Sequence, residues 1–110
     1  MKELKFNGEK ASAEVADTFL KRGIGLSLRT KGKMLFKFEK EVNLPIDMML
    51  MRKPLHLYFM NSDKKVIYVE KADPWYKLPE NFFHSPEQSY RYLLESFEEL
   101  NIGKGDKIDF

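Results

Sequence analysis

From Pro54 to Lys71 the chain alternates twice around a polar break. Leu55, Leu57 and Phe59 interleave with His56, Tyr58 and Met60; Asn61, Ser62, Asp63 and Lys64 interrupt; Val66, Ile67, Tyr68 and Val69 resume. Two period-two runs about a short polar turn predict a β-hairpin. Apolar side chains fall on both faces, which predicts a hairpin central in its sheet, with little of it at a solvated edge. Leu4 and Phe6 predict a first strand, Asn7-Gly8 a tight turn, and Ala11, Ala13 and Val15 the partner strand. Asp17 or Thr18 then caps a short helix carrying Phe19, Leu20 and Arg22, which Gly23 and Gly25 end. Lys31-Gly32-Lys33 reads as a turn, Met34 to Phe38 as a core strand, and Glu39 to Pro45 as a polar loop. Ala72 to Pro86, with three prolines beside Trp75, Tyr76, Phe82 and Phe83, predicts an ordered aromatic loop wrapping the sheet.

The C-terminal part holds a conflict. Ser85-Pro86-Glu87-Gln88 has the form of a capping box, and Tyr90, Leu93, Leu94, Phe97 and Leu100 share one helical face. The same residues read as a strand set Tyr90, Tyr92 and Leu94 on one side. Periodicity alone prefers the helix, over about residues 86–100.

Composition narrows the classes. A chain of 110 residues is one domain's worth, 1–110, able to bury a single core. The 19 basic and 17 acidic residues are interleaved, and no basic face of the kind nucleic acid needs stands out. With no cysteine, disulfides, iron–sulfur clusters and thiol catalysis are excluded. No apolar run has signal-peptide or membrane-spanning length, so a soluble, cytoplasmic domain is expected, as a monomer or weak homodimer. High charge density with a single Gln leans towards a thermophile.

Chemistry-bearing residues are sparse. Met48, Met49 and Met51 would suit Cu(I), but no cysteine or histidine accompanies them, and methionines fill irregular core gaps well. His56 and His84 are the two histidines, neither with an acid at ligand spacing, so no metal and no cofactor are expected. No nucleophile elbow surrounds a serine, and neither Lys31-Gly32-Lys33 nor Gly103-Lys104-Gly105 has phosphate-loop spacing. Asp17 reads as a helix cap and Asp106 as a turn former.

Four stretches carry a resemblance. Ala16 to Arg29 (ADTFLKRGIGLSLR), Gly32 to Phe38 (GKMLFKF), Pro54-Leu55 with its apolar run, and YRYLLE with the later GKGDKI occur in the right order. Together they resemble the family called domain of unknown function 192, or uncharacterised protein family 0127. The resemblance implies a mainly β domain of sandwich, jelly-roll or partly open barrel type with one or two short helices. It implies a strand over Tyr90 to Glu95, overruling the helical periodicity, then a helical turn over Ser96 to Asn101 and a last strand over Lys107 to Phe110. It implies no activity. The chain departs from the family's pattern where the methionine run replaces Trp-Met-Lys-Asn-Thr, and where His56 replaces an Asp.

Candidate binding residues follow. Arg22 and Arg29 flank the helix-to-strand transition and suit either an anionic ligand or the carbonyls and carboxylates of that turn, the structural role being the commoner. Trp75 can stack on a ligand or simply lid the sheet. His56, a polar residue inside a strand, is either a core histidine bonded to a carbonyl or part of one pocket with Arg29 and Trp75. Asp47 and Glu95 are its candidate carboxylate neighbours. The expected function is a non-catalytic module that binds a small molecule or peptide. The alternatives are a small hydrolase or isomerase built on a His56–carboxylate pair, and a structural role in which the N-terminal strand pairs at an open edge.

Overall fold

The computed structural model describes residues 1–16, 29–47, 51–74, 83–84 and 87–110. The helix expected after Asp17, most of the Pro-rich aromatic loop, Met48 and Met49 lie outside the described residues. Within them the fold is all strand: β1 (Lys2–Phe6), β2 (Glu9–Ala16), β3 (Lys33–Val42), β4 (Ile46–Asp47), β5 (Leu55–Met60), β6 (Val66–Ala72), β7 (Phe83–His84) and β8 (Tyr90–Ser96). Six of these form one sheet in the order β1-β2-β3-β8-β5-β6, and β4 pairs with β7. The β2–β3 pair is parallel and the others in the sheet are antiparallel. No helix among the described residues is long and apolar enough to cross a membrane.

The sheet is rolled without being closed by a continuous ladder. Residues 105–109 reach both of its outer strands. Lys5 exchanges two backbone hydrogen bonds with Asp109, at 2.9 and 2.8 Å, and the Val66 amide donates to the Asp106 carbonyl at 2.8 Å. This is the partly open barrel form of the expected β domain. Rolling buries both faces. Leu35, Tyr58, Met60 and Leu94 point inward onto Leu4, Phe6, Ile102 and Ile108. Met34, Phe36, Leu57, Phe59 and Leu93 line the other face with Met51, Leu55 and Tyr90. Met51, 4% exposed, fills the core as the gap-filling reading of the methionine run has it.

Four expectations are corrected in part. The hairpin is not wholly central: β5 lies between β8 and β6, but β6 is an outer strand, with Tyr68 and Val69 exposed. Its two-sided apolar pattern comes from rolling, which buries both faces. The loop expected from Glu39 is strand as far as Val42, which pairs with Tyr90 of β8 beyond an irregular stretch that follows Lys37. The helical turn expected after β8 is a set of bends, in which Ser96 Oγ donates to the Glu98 carbonyl at 2.7 Å and accepts from its amide at 3.1 Å. The last strand is two isolated bridges, Lys65 to Lys107 and Lys5 to Asp109. Asn7 adopts a positive φ of 48° in the expected tight turn, and its side-chain Nδ2 donates to Asp106 Oδ2 at 2.9 Å. Asp106 also accepts from the Gly103 amide at 2.8 Å, the turn-forming role read for it.

Tyr58, 1% exposed, ties the sheet to the closing segment: its hydroxyl accepts from the Leu100 amide at 2.9 Å. Tyr58→Phe leaves that amide unpaired and should cost about 1–2 kcal/mol of stability, measured by denaturant unfolding. An unchanged midpoint would show that water replaces the hydroxyl.

Candidate functional site

The register assembles one row of side chains on the Met34–Leu93 face. Glu14 of β2 pairs with Met34 of β3, Met34 with Glu95 of β8, Glu95 with Leu57 of β5, and Leu57 with Glu70 of β6. Residues directly opposite in a ladder share a face, so three carboxylates alternate with two apolar side chains across five strands. Strand spacing sets neighbouring carboxylates about 10 Å apart. The next row on the same face is Ala16, Phe36, Leu93, Phe59 and Tyr68, an aromatic shelf to which Tyr90 adds its ring, 4.8 Å from that of Phe59.

Partners differ along the row. Arg29 grips Glu14 with both guanidinium nitrogens. Glu70 accepts from the Tyr68 hydroxyl at 3.4 Å. Glu95, only 6% exposed, has no hydrogen bond or ion pair among the described residues. Burial pushes its carboxyl up to about 8. Tyr90, whose hydroxyl donates to the Leu44 carbonyl at 2.8 Å, is raised above the ordinary phenol range, first by burial and then by the charge of Glu95. A carboxyl on a packed strand, held neutral by burial and with no partner among the described residues, is costly to hold and is the residue of this face that a functional site would be built on.

Beside the row's β2 end opens a groove of about 610 Å³, lined by Glu14, Arg29, Thr30, Lys31, Gly32 and Glu98. Arg29 therefore stands in a groove wall while performing the structural carboxylate pairing read for it. His56 pairs with Lys71 on one side and Ser96 on the other, so its side chain belongs to the face opposite Glu95. The register thus separates His56 from both Glu95 and Glu14, the partner of Arg29. No carboxylate bonds His56 among the described residues, and the side chain of Asp47 lies outside them, as do Arg22 and Trp75. No group of three His, Cys, Asp or Glu among the described residues is arranged to hold a metal ion. Glu95 entered the sequence analysis only as a neighbour of His56. The signal that could have found it is a charged residue closing the apolar run Tyr92-Leu93-Leu94.

The molecule is thus a small rolled β domain with a buried acid on its central strand. Its chain belongs to the family DUF192, Uncharacterized ACR, which it matches over residues 2–110. A UPF0127 protein of Pyrococcus abyssi is 29% identical over 116 residues, covering 99% of this chain and 92% of that protein. One from Thermococcus sibiricus is 30% identical over 105 residues, covering 88% of this chain and 64% of that protein. A crystal structure of a protein of unknown function from Novosphingobium aromaticivorans superposes with a TM-score of 0.81 at 21% identity, covering 98% of this chain and 84% of that one. A crystal structure described as that of a putative transcription regulator from Sinorhizobium meliloti superposes with a TM-score of 0.79 at 21% identity, covering 97% of this chain and 91% of that one.

The raised carboxyl fixes the sign of a pH effect. Glu95 holds its proton more tightly folded, at about 8, than its ordinary 4.5. Its contribution to stability is therefore complete below about 4.5 and lost as pH rises towards 8, by up to about 1.4 kcal/mol per pH unit. Glu95→Gln should match the parent near the acid end and exceed it by at least about 2 kcal/mol near pH 8, measured by denaturant unfolding. Parallel stability curves would show that Glu95 ionises normally in the folded protein.

Proposed function

We propose that the protein is a non-catalytic binding or accessory module that takes a small molecule or a segment of peptide on the Glu95 face of the sheet. The observation that carries this reading is Glu95 itself, 6% exposed and unpartnered among the described residues. Such a carboxyl is balanced most simply by a group brought from outside. Glu14 joins the site to the adjacent groove, where Arg29 orients it. Arg22 and Trp75 belong to the proposal on the sequence alone. His56, on the opposite face, stands outside the Glu95 site. The relatives in Pyrococcus and Thermococcus support a heat-stable chain.

A fragment screen read by amide chemical shifts tests this. Binders should shift Glu95 and its row neighbours Met34 and Leu57, without turnover of the fragment. Hits confined to the His56 face, or chemical conversion of a bound fragment, would contradict the reading.

A further inference from the structure

We infer that Asn7-Gly8, the turn between β1 and β2, is a self-modification site of the amide-to-acid class. The fold holds the reaction in check through the Asn7 side chain, and the product releases the closing segment.

The chemistry belongs to the dipeptide. The Gly8 backbone nitrogen attacks Asn7 Cγ, an N–C bond forms, and Nδ2 leaves as ammonia, taking up the Gly8 amide proton. Water then opens the resulting imide ring at either carbonyl, leaving an aspartate or an isoaspartate, and no other co-reactant is needed. The turn itself offers little resistance. Gly8, at φ 78°, brings no side chain to shield its nitrogen, and the space where one would stand is open. Asn7, at φ 48°, is an exposed turn residue.

Resistance comes from across the roll. Asn7 Nδ2, the leaving nitrogen, donates to the Asn101 carbonyl at 2.8 Å and to Asp106 Oδ2 at 2.9 Å. These bonds fix the amide in place. A carboxylate that accepts from an amide N–H also strengthens amide resonance, which makes Cγ a poorer electrophile. The Asn7 bond, and after it the Gly103 bond, hold the Asp106 carboxyl below its ordinary range, so this acceptor is an anion at neutral pH. The same contact bears on closure. Asp106 Oδ2 also accepts from the Gly103 amide, and the Asp106 carbonyl accepts from the Val66 amide of β6. The Asn7 turn thus joins β1 and β2 to the residues that hold β6, beside the Lys5–Asp109 pair. Deamidation replaces the donor by a carboxylate facing the Asp106 carboxylate and the Asn101 carbonyl, and attraction becomes repulsion.

Peptide mapping by mass spectrometry follows the change at Asn7 in the full chain, incubated warm at mildly alkaline pH with and without denaturant. The acid products should form at least about tenfold more slowly in the folded protein than in denaturant, since ring closure must wait for the two bonds to open. Asp106→Ala should speed the reaction in the folded protein at least about threefold. Asp106→Asn, which keeps an acceptor for the Gly103 amide, should speed it by less, and it carries the comparison if Asp106→Ala does not fold. The product's effect is read on Asn7→Asp by hydrogen exchange. The bridging amides of Lys5, Val66 and Asp109 should exchange at least about fivefold faster, while those of Leu57 and Leu94 in the centre of the sheet stay as in the parent. Equal rates of deamidation folded and in denaturant, or a folded rate that no Asp106 variant changes, would overturn the inference. So would bridging amides that exchange in Asn7→Asp as they do in the parent.

Discussion

The structure depends on the insertion of β8, the last long strand, between β3 and β5. The ladder runs from Lys33–Ser96 to Lys37–Tyr92 on one side and from His56–Ser96 to Met60–Tyr92 on the other. Without β8, the N-terminal strands and the central hairpin are separate sheets whose apolar faces have no partner. Once it is seated, the outer strands curve close enough for residues 105–109 to bridge them, and both faces become core. Such long-range pairing must be reached before most of the burial is gained. A single strand therefore carries the closure of the fold and also Glu95, the one buried carboxyl among the described residues.

Much of the architecture was legible because strand physics is local. Alternation at Leu55 to Met60, the turn at Asn7-Gly8 and the pairing of Leu4 and Phe6 with the Ala11–Val15 run need no knowledge of the rest of the chain. Strand β8 was legible only through the family resemblance. Leu93 belongs to one core cluster and Leu94 to the other, so adjacent apolar residues serve opposite faces. A strand buried on both sides has no alternation left to read, and its apolar positions happen to fit a helix. The overextended loop at Glu39 is the reverse case, since exposed charged residues hide a strand that runs on to the Val42–Tyr90 pair.

The site was less legible for a related reason. His56 attracted attention as a polar residue inside an apolar strand, yet it shares its row with Lys71 and Ser96 on the face away from Glu95. Which polar residues meet is decided by cross-strand register, and register between β3, β8 and β5 is a property of the folded sheet. Glu14, Glu95 and Glu70 stand far apart in sequence and fall in line only through four ladders. Arg29 was singled out from the sequence, and its bond to Glu14 ties it to that row. No single stretch of sequence contains the row.

The central claim is that a buried carboxyl, neutral and without a partner among the described residues, sits in the middle of the sheet. Carbon-detected titration of the Glu95 side chain in the folded protein tests it most directly. The account predicts a midpoint close to about 8, far above the ordinary glutamate value of 4.5. A Glu95 midpoint at or below 4.5 would mean that the carboxylate is charged and satisfied in the folded state, and would contradict the account.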